Sequence, residues 1–209
     1  MAGTSGAQVA RALLRGPGGV VRALGVACLL VALVFRGPVD VALFALVLAG
    51  LVVPVAAGAP RWLDAAYGIG LIVAAWCGAL QLYQAVWWLD VLMHLVVTGL
   101  IAAVAHLLVA HRTGAVVDPR DVRGPAARVG AVLVTASLGL ALSVQWEVGE
   151  YLGNTYVDPA IYVGYADTIG DLVAGGLGST VAGWWLTTRR RHSPSSADAL
   201  DSPTTAPAH

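Results

Sequence analysis

The chain has 209 residues, of which 58% are hydrophobic; its 12 arginines (there is no lysine) balance 12 acidic residues to a formal charge of zero. Only 11% of residues are charged, against about 25% in soluble domains, and the mean hydropathy is +0.77. These values exclude a disordered chain, a nucleic-acid binder with a basic face and an ordinary water-soluble enzyme.

A hydrocarbon core about 30 Å thick takes about 20 helical residues. Six segments approach that length: residues 18–35, 39–57, 65–88, 90–110, 127–150 and 166–187. The chain is therefore expected to fold as an all-α polytopic membrane helix bundle with six transmembrane helices. The first segment is the shortest, with only residues 23–35 free of charge, so Arg22 is expected to snorkel to the interface. It reads as a retained helix rather than a cleaved leader. Arg36-Gly37-Pro38-Val39-Asp40 is not a small-residue cleavage site, and another span follows at once. The third segment is the clearest, with no charge from residue 65 to 89. Residues 1–17 read as a cytoplasmic tail, 18–187 as the bundle, and 188–209 as a disordered cytoplasmic tail of low complexity. Cys28 and Cys77 sit inside apolar runs and read as small buried hydrophobes.

Arginine sets the orientation. With six spans, Arg36 alone falls on one side and the other 11 arginines on the opposite side. The positive-inside rule then places both termini in the cytoplasm. Asp40, Asp90, Glu147, Glu150, Asp158, Asp167 and Asp171 fall at the outer boundary. Trp87, Trp88, Trp146, Tyr151, Tyr156, Tyr162 and Tyr165 form an aromatic belt there, and Trp184 and Trp185 mark the inner boundary.

Three pairs carry the chemistry: Asp90-x-x-x-His94, Glu147-x-x-Glu150 and Asp167-Thr168-x-x-Asp171. Spacings of three and four put both members on one helix face. At 100° per residue, Asp171, Gly175, Gly178 and Ala182 share an arc of about 60°, and Glu150, Glu147, Ser143, Gly139 and Ala136 one of about 80°. Small-residue stripes mark helix contacts in membranes, so the acids that continue them are expected to point inward. Simpler readings compete: Asp90 and Asp167 as helix N-caps, Asp171 as a charge favoured by the helix dipole, and the glutamates as solvated loop residues. Glu147 and Glu150 resist this best, since the C-terminal end of a helix disfavours negative charge. A proton, a metal ion or protonated His94 is expected to compensate them. His106 lies on another side and is left out of the cluster. Ser143 and Ser179 read as packing residues.

This set, with Trp146 before Glu147 and Leu172 after Asp171, resembles the YjdF-like family of uncharacterised bacterial inner-membrane proteins, and more distantly the VanZ-like membrane proteins. The resemblance covers roughly residues 60–187. It implies a polytopic membrane fold with polar residues at these positions, and no known activity.

Three functions stay open. In a cation-dependent enzyme acting on a lipid or cell-envelope substrate, Glu147, Glu150, Asp167 and Asp171 would hold the metal, while His94, oriented by Asp90, would be the catalytic acid/base. Hard oxygen donors suit Mg²⁺, Mn²⁺ or Ca²⁺, so a divalent cation such as Mg²⁺ or Mn²⁺ is the candidate cofactor. A proton- or cation-coupled transporter is the alternative, and a structural or partner-binding role the third. Membrane lipids are the expected partners, nucleic acid is excluded, and a homo-oligomer is left open.

Overall fold

A computed structural model describes residues 16–189. Both expected tails lie almost wholly outside that range. The described residues are helices and connecting loops. In chain order they are α1 (Gly16–Phe35), α2 (Pro38–Gly50), α3 (Val53–Ala56), α4 (Arg61–Ala79), α5 (Leu82–Ala85), α6 (Leu89–Met93), a π-helical turn π1 (His94–Thr98), α7 (Gly99–Thr113), α8 (Pro125–Tyr156) and α9 (Tyr165–Thr188). Five stretches are long and apolar enough to cross a membrane: Gly16–Phe35, Pro38–Ala56, Arg61–Ala79, Leu89–Thr113 and Pro125–Tyr156. α9, with 24 residues, is about 36 Å long at 1.5 Å per residue. Its five glycines, its hydroxyl residues and Asp167 and Asp171 dilute its apolar character.

The helices form two groups. α1, α2 and α4 pack together around Cys28, Ala32, Phe44, Leu51 and Ile72. π1, α7, α8 and α9 form the second group, joined to the first where α4 meets α7. A smaller apolar cluster including Leu63, Tyr67, Leu107 and Leu186 fills that junction. The outer surface is apolar: Leu133, Val181, Val20 and Phe35 are 62%, 66%, 71% and 76% exposed. Such a surface is stable against lipid and not against water.

Close contacts fix the relative directions in the second group. Gly183 meets Thr135, Gly139 meets Ser179 and Gly175 meets Ser143, so α8 and α9 are antiparallel. Gly99 and Leu95 both meet Gly178, and Thr98 meets Gly175, so α9 runs parallel to the π1–α7 helix, its layers matching that helix one by one. The end of α3 adjoins the end of α7, where Arg112 Nε donates to the Ala56 carbonyl at 3.1 Å. The start of α4 adjoins the end of α9, where Trp62 and Trp185 meet edge-on at 4.2 Å between centroids.

Three local expectations are corrected. The third segment stops being helical at Ala79, not residue 88. Gln81 takes a left-handed conformation, φ 55°, and the short α5 folds back so that the Tyr83 hydroxyl donates to the Ala74 carbonyl at 3.0 Å. Nineteen residues already span about 28 Å, so the remaining apolar run has no hydrocarbon left to cross. Arg22 does not snorkel. It is 8% exposed, pairs with Asp64 at 2.6 Å, and donates through Nε to the Leu51 carbonyl at 2.9 Å. Finally, α8 runs on to Tyr156, so Glu147 and Glu150 are not at its C-terminal end. The dipole acts within the last turn and burial is what sets their environment.

Candidate cation site

Every fourth residue of α8 is buried: Ala131, Thr135, Gly139, Ser143 and Glu147. On α9 the buried set includes Asp171, Gly175, Gly178, Ser179 and Gly183. Glu147, Ser143 and Gly139 on α8 and Asp171, Gly175 and Gly178 on α9 are buried as the spacing predicts, whereas Glu150, Ala136 and Ala182 are only half-buried; the close approach the stripes permit is real. A methyl group on Gly139 would collide with the Ser179 hydroxyl, and one on Gly178 with the Leu95 carbonyl. The three helices thus stack in layers about one turn apart. The outermost layer holds His94, Glu147 and Asp171. Below it lie Thr98, Ser143 and Gly175, then Ala102, Gly139 and Ser179, then Thr135 and Gly183 with His106.

His94 opens the π turn. A π turn accommodates one more residue than an α turn, and such turns recur at functional sites. Here it seats the Leu95 carbonyl against Gly178 and directs the His94 ring into the layer between α8 and α9. Nε2 lies 3.6 Å from Asp90 Oδ1, and Nδ1 lies 3.8 Å from Glu147 Oε1.

His94 is shared by two groups of donors. Asp90, His94 and Asp171 each offer an atom within 4.8 Å of the others, and so do His94, Glu147 and Glu150. Four of the five expected carboxylates are thereby gathered around one imidazole. Asp167 belongs to neither group. It lies half-buried in the first turn of α9, with Thr168, its neighbour, at the Glu147 carboxylate.

These separations are too long for direct hydrogen bonds. They fit donors arranged around an ion, since ligand distances of 2.0–2.6 Å place donors about 3–5 Å apart across an octahedron. Exposure is 9% at His94, 8% at Glu147 and 1% at Asp171. Yet His94 Nδ1, Glu147 Oε1 and Asp171 Oδ1 are buried with no hydrogen-bond partner. A buried polar atom without a partner costs roughly 1–3 kcal/mol, more if charged. The arginine ion pairs of the described residues involve Asp64, Asp40 and Asp118, and none reaches this cluster.

His106 stands apart from the site. Its Nδ1 is 2.8 Å from the Thr135 hydroxyl and its Nε2 3.1 Å from the Val117 carbonyl. Two residues carry more than their sequence context suggests. Asp64 is the buried partner of Arg22, a pairing between residues 42 apart that helix periodicity does not reveal. Ser143 is buried in the second layer with its hydroxyl unpartnered.

Residues 19–192 match the family described as "Predicted membrane protein (DUF2238)". The chain belongs to that family. It contains the YjdF-like proteins that the motif set resembles, and it describes multi-pass membrane proteins of uncharacterised activity. No functionally curated protein and no solved structure is measurably similar to the chain.

Proposed function

We propose that this DUF2238 protein crosses the plasma membrane six times with both termini in the cytoplasm, and that it is a divalent-cation-dependent enzyme acting at the outer boundary of the bilayer. The observation carrying this reading is the pair of donor groups that share His94, with three buried atoms left unpartnered. Glu147, Glu150 and His94 Nδ1 would hold the cation. Asp90 faces Nε2 and orients the ring, as carboxylates do for metal-bound histidines. This moves His94 from acid/base to ligand and leaves Asp171, whose Oδ1 is buried and unpartnered, as the group that handles protons. Asp167 stands at the rim.

The substrate class that fits is a phosphate ester carried by a lipid or envelope component. A cation held there would supply Lewis-acid polarisation of a phosphoryl oxygen and a lowered pKa for water. The water oxygen bonds to phosphorus and the ester oxygen leaves; Asp171 takes the water's proton and returns it to the leaving alcohol.

The test is Mn²⁺ binding by detergent-purified protein, followed by electron paramagnetic resonance. The wild type is expected to bind stoichiometrically, Glu147→Gln to lose the ion while staying folded, and Asp171→Asn to keep it. A well-folded wild type that binds no divalent cation sinks the reading.

Cation-coupled transport is the second reading, favoured by the buried polar layers that continue from the site through Ser143 and Ser179 to Thr135 and His106. Mn²⁺ entry into proteoliposomes, abolished by Glu147→Gln, would support it over an enzyme.

A further inference from the structure

Two residues of the sequence motifs have had no part in the chemistry so far. Trp146 precedes Glu147, and Thr168 follows Asp167. Each meets the carboxylate of a glutamate assigned to the cation. The Thr168 hydroxyl, near the start of α9, donates to the Glu147 carboxylate. The Trp146 indole N–H, one turn back along α8, donates to the Glu150 carboxylate. Glu147 Oε1 has no hydrogen-bond partner and stands 3.8 Å from His94 Nδ1. Thr168 therefore serves the other oxygen and leaves this one to face the imidazole.

The kind of donor matters. An arginine would hold a carboxylate with a full positive charge and would take the place of a cation. A hydroxyl and an indole N–H are neutral. They fix the direction of a carboxylate and leave its charge to be met by something else. The two donors are anchored differently. Thr168 is half-buried and ties α9 to α8 across their interface. Trp146 is 43% exposed and acts along its own helix, four residues before Glu150. Groups outside the coordination hold metal-binding side chains in this manner.

We propose that Thr168 and Trp146 are positioning residues of the cation site. They hold the Glu147 and Glu150 carboxylates in the directions the ion requires, and they do not touch the ion themselves. This rests on the cation reading above and adds to it the groups that orient two of its three ligands.

The test uses full-length protein in detergent, with Mn²⁺ as the probe followed by electron paramagnetic resonance. Thr168→Val keeps the shape of the side chain and removes the hydroxyl. It is expected to weaken Mn²⁺ binding about tenfold, the lower end for loss of a group that supports a metal ligand. Thr168→Ser keeps the hydroxyl and loses the methyl group, and is expected to bind as the wild type does. The spectrum of the ion that still binds should change in Thr168→Val and return to the wild-type pattern in Thr168→Ser. A threonine that merely packs would give the opposite order, with the serine variant impaired and the valine variant intact. Trp146→Phe keeps an aromatic ring and loses the N–H, and is expected to weaken binding to a similar degree. Unfolding midpoints close to the wild type establish that the variants fold. Wild-type affinity in Thr168→Val, or impaired binding in Thr168→Ser, overturns the role of Thr168. Wild-type affinity in Trp146→Phe overturns that of Trp146. Both results leave the cation site standing, whereas a wild type that binds no divalent cation overturns the site and its positioning residues together.

Discussion

Single glycines hold this site together, and they are not equivalent. Gly178 sits against the Leu95 carbonyl, where any side chain would collide with backbone rather than with a flexible tip. Gly178→Ala is expected to destabilise the protein by about 2–3 kcal/mol, the cost of overpacking, and to weaken Mn²⁺ binding by moving His94. A methyl group on Gly149 would meet nothing within 4 Å, so Gly149→Ala should be stabilising by roughly 0.5–1 kcal/mol through helix propensity. Thermal unfolding of the two variants in one detergent checks the contrast; equal effects would contradict the packing described. Gly175 and Gly178 are legible as a stripe in the sequence because helix periodicity is a local rule. Ser143 reads there only as a packing residue, because whether a hydroxyl bonds its own helix or faces a neighbour depends on tertiary contacts.

At the level of helices, the order of the apolar segments can be read directly, since lipid demands length and apolarity in each one separately; five of the six are long and apolar enough to cross a membrane. Their ends are harder. The apolar run after Ala79 and the polar one after Glu150 both mislead, because where a helix stops depends on bilayer thickness and on local caps rather than on hydropathy alone. The Arg22–Asp64 pair is illegible for another reason: it joins α1 to α4 across 42 residues. Burying one charge alone is costly, so Asp64→Leu is expected to lose about 3–5 kcal/mol. The double variant Arg22→Leu with Asp64→Leu should recover part of that loss. A double-mutant cycle on chemical unfolding measures the coupling; additive losses would show that the pair is not a unit.

The whole molecule divides its polarity by end. Arg61, Arg112 and Arg189 lie at helix termini brought together by the Trp62–Trp185 and Arg112–Ala56 contacts, and the Asp90, Glu147 and Asp171 carboxylates lie at the opposite end. Reporter fusions near Arg120 and after the last helix should therefore read as cytoplasmic. A reporter after α9 that reads as external would refute six spans. Paired cysteines at Asp90 and Asp171 should crosslink with a short reagent, as their shared donor group requires; failure in a folded variant would dissolve the site.

The π turn at His94–Thr98 makes the site a matter of counting. An α-helix with one residue fewer would carry everything above that point round by about 100°. Deleting Val96 would leave α7 seated on α8 and α9 below, still apolar and still long enough to span. Asp90 and His94 would swing out of line with Glu147 and Asp171. The register of one helix, set by a single surplus residue, thus separates a polar centre from a plain membrane anchor.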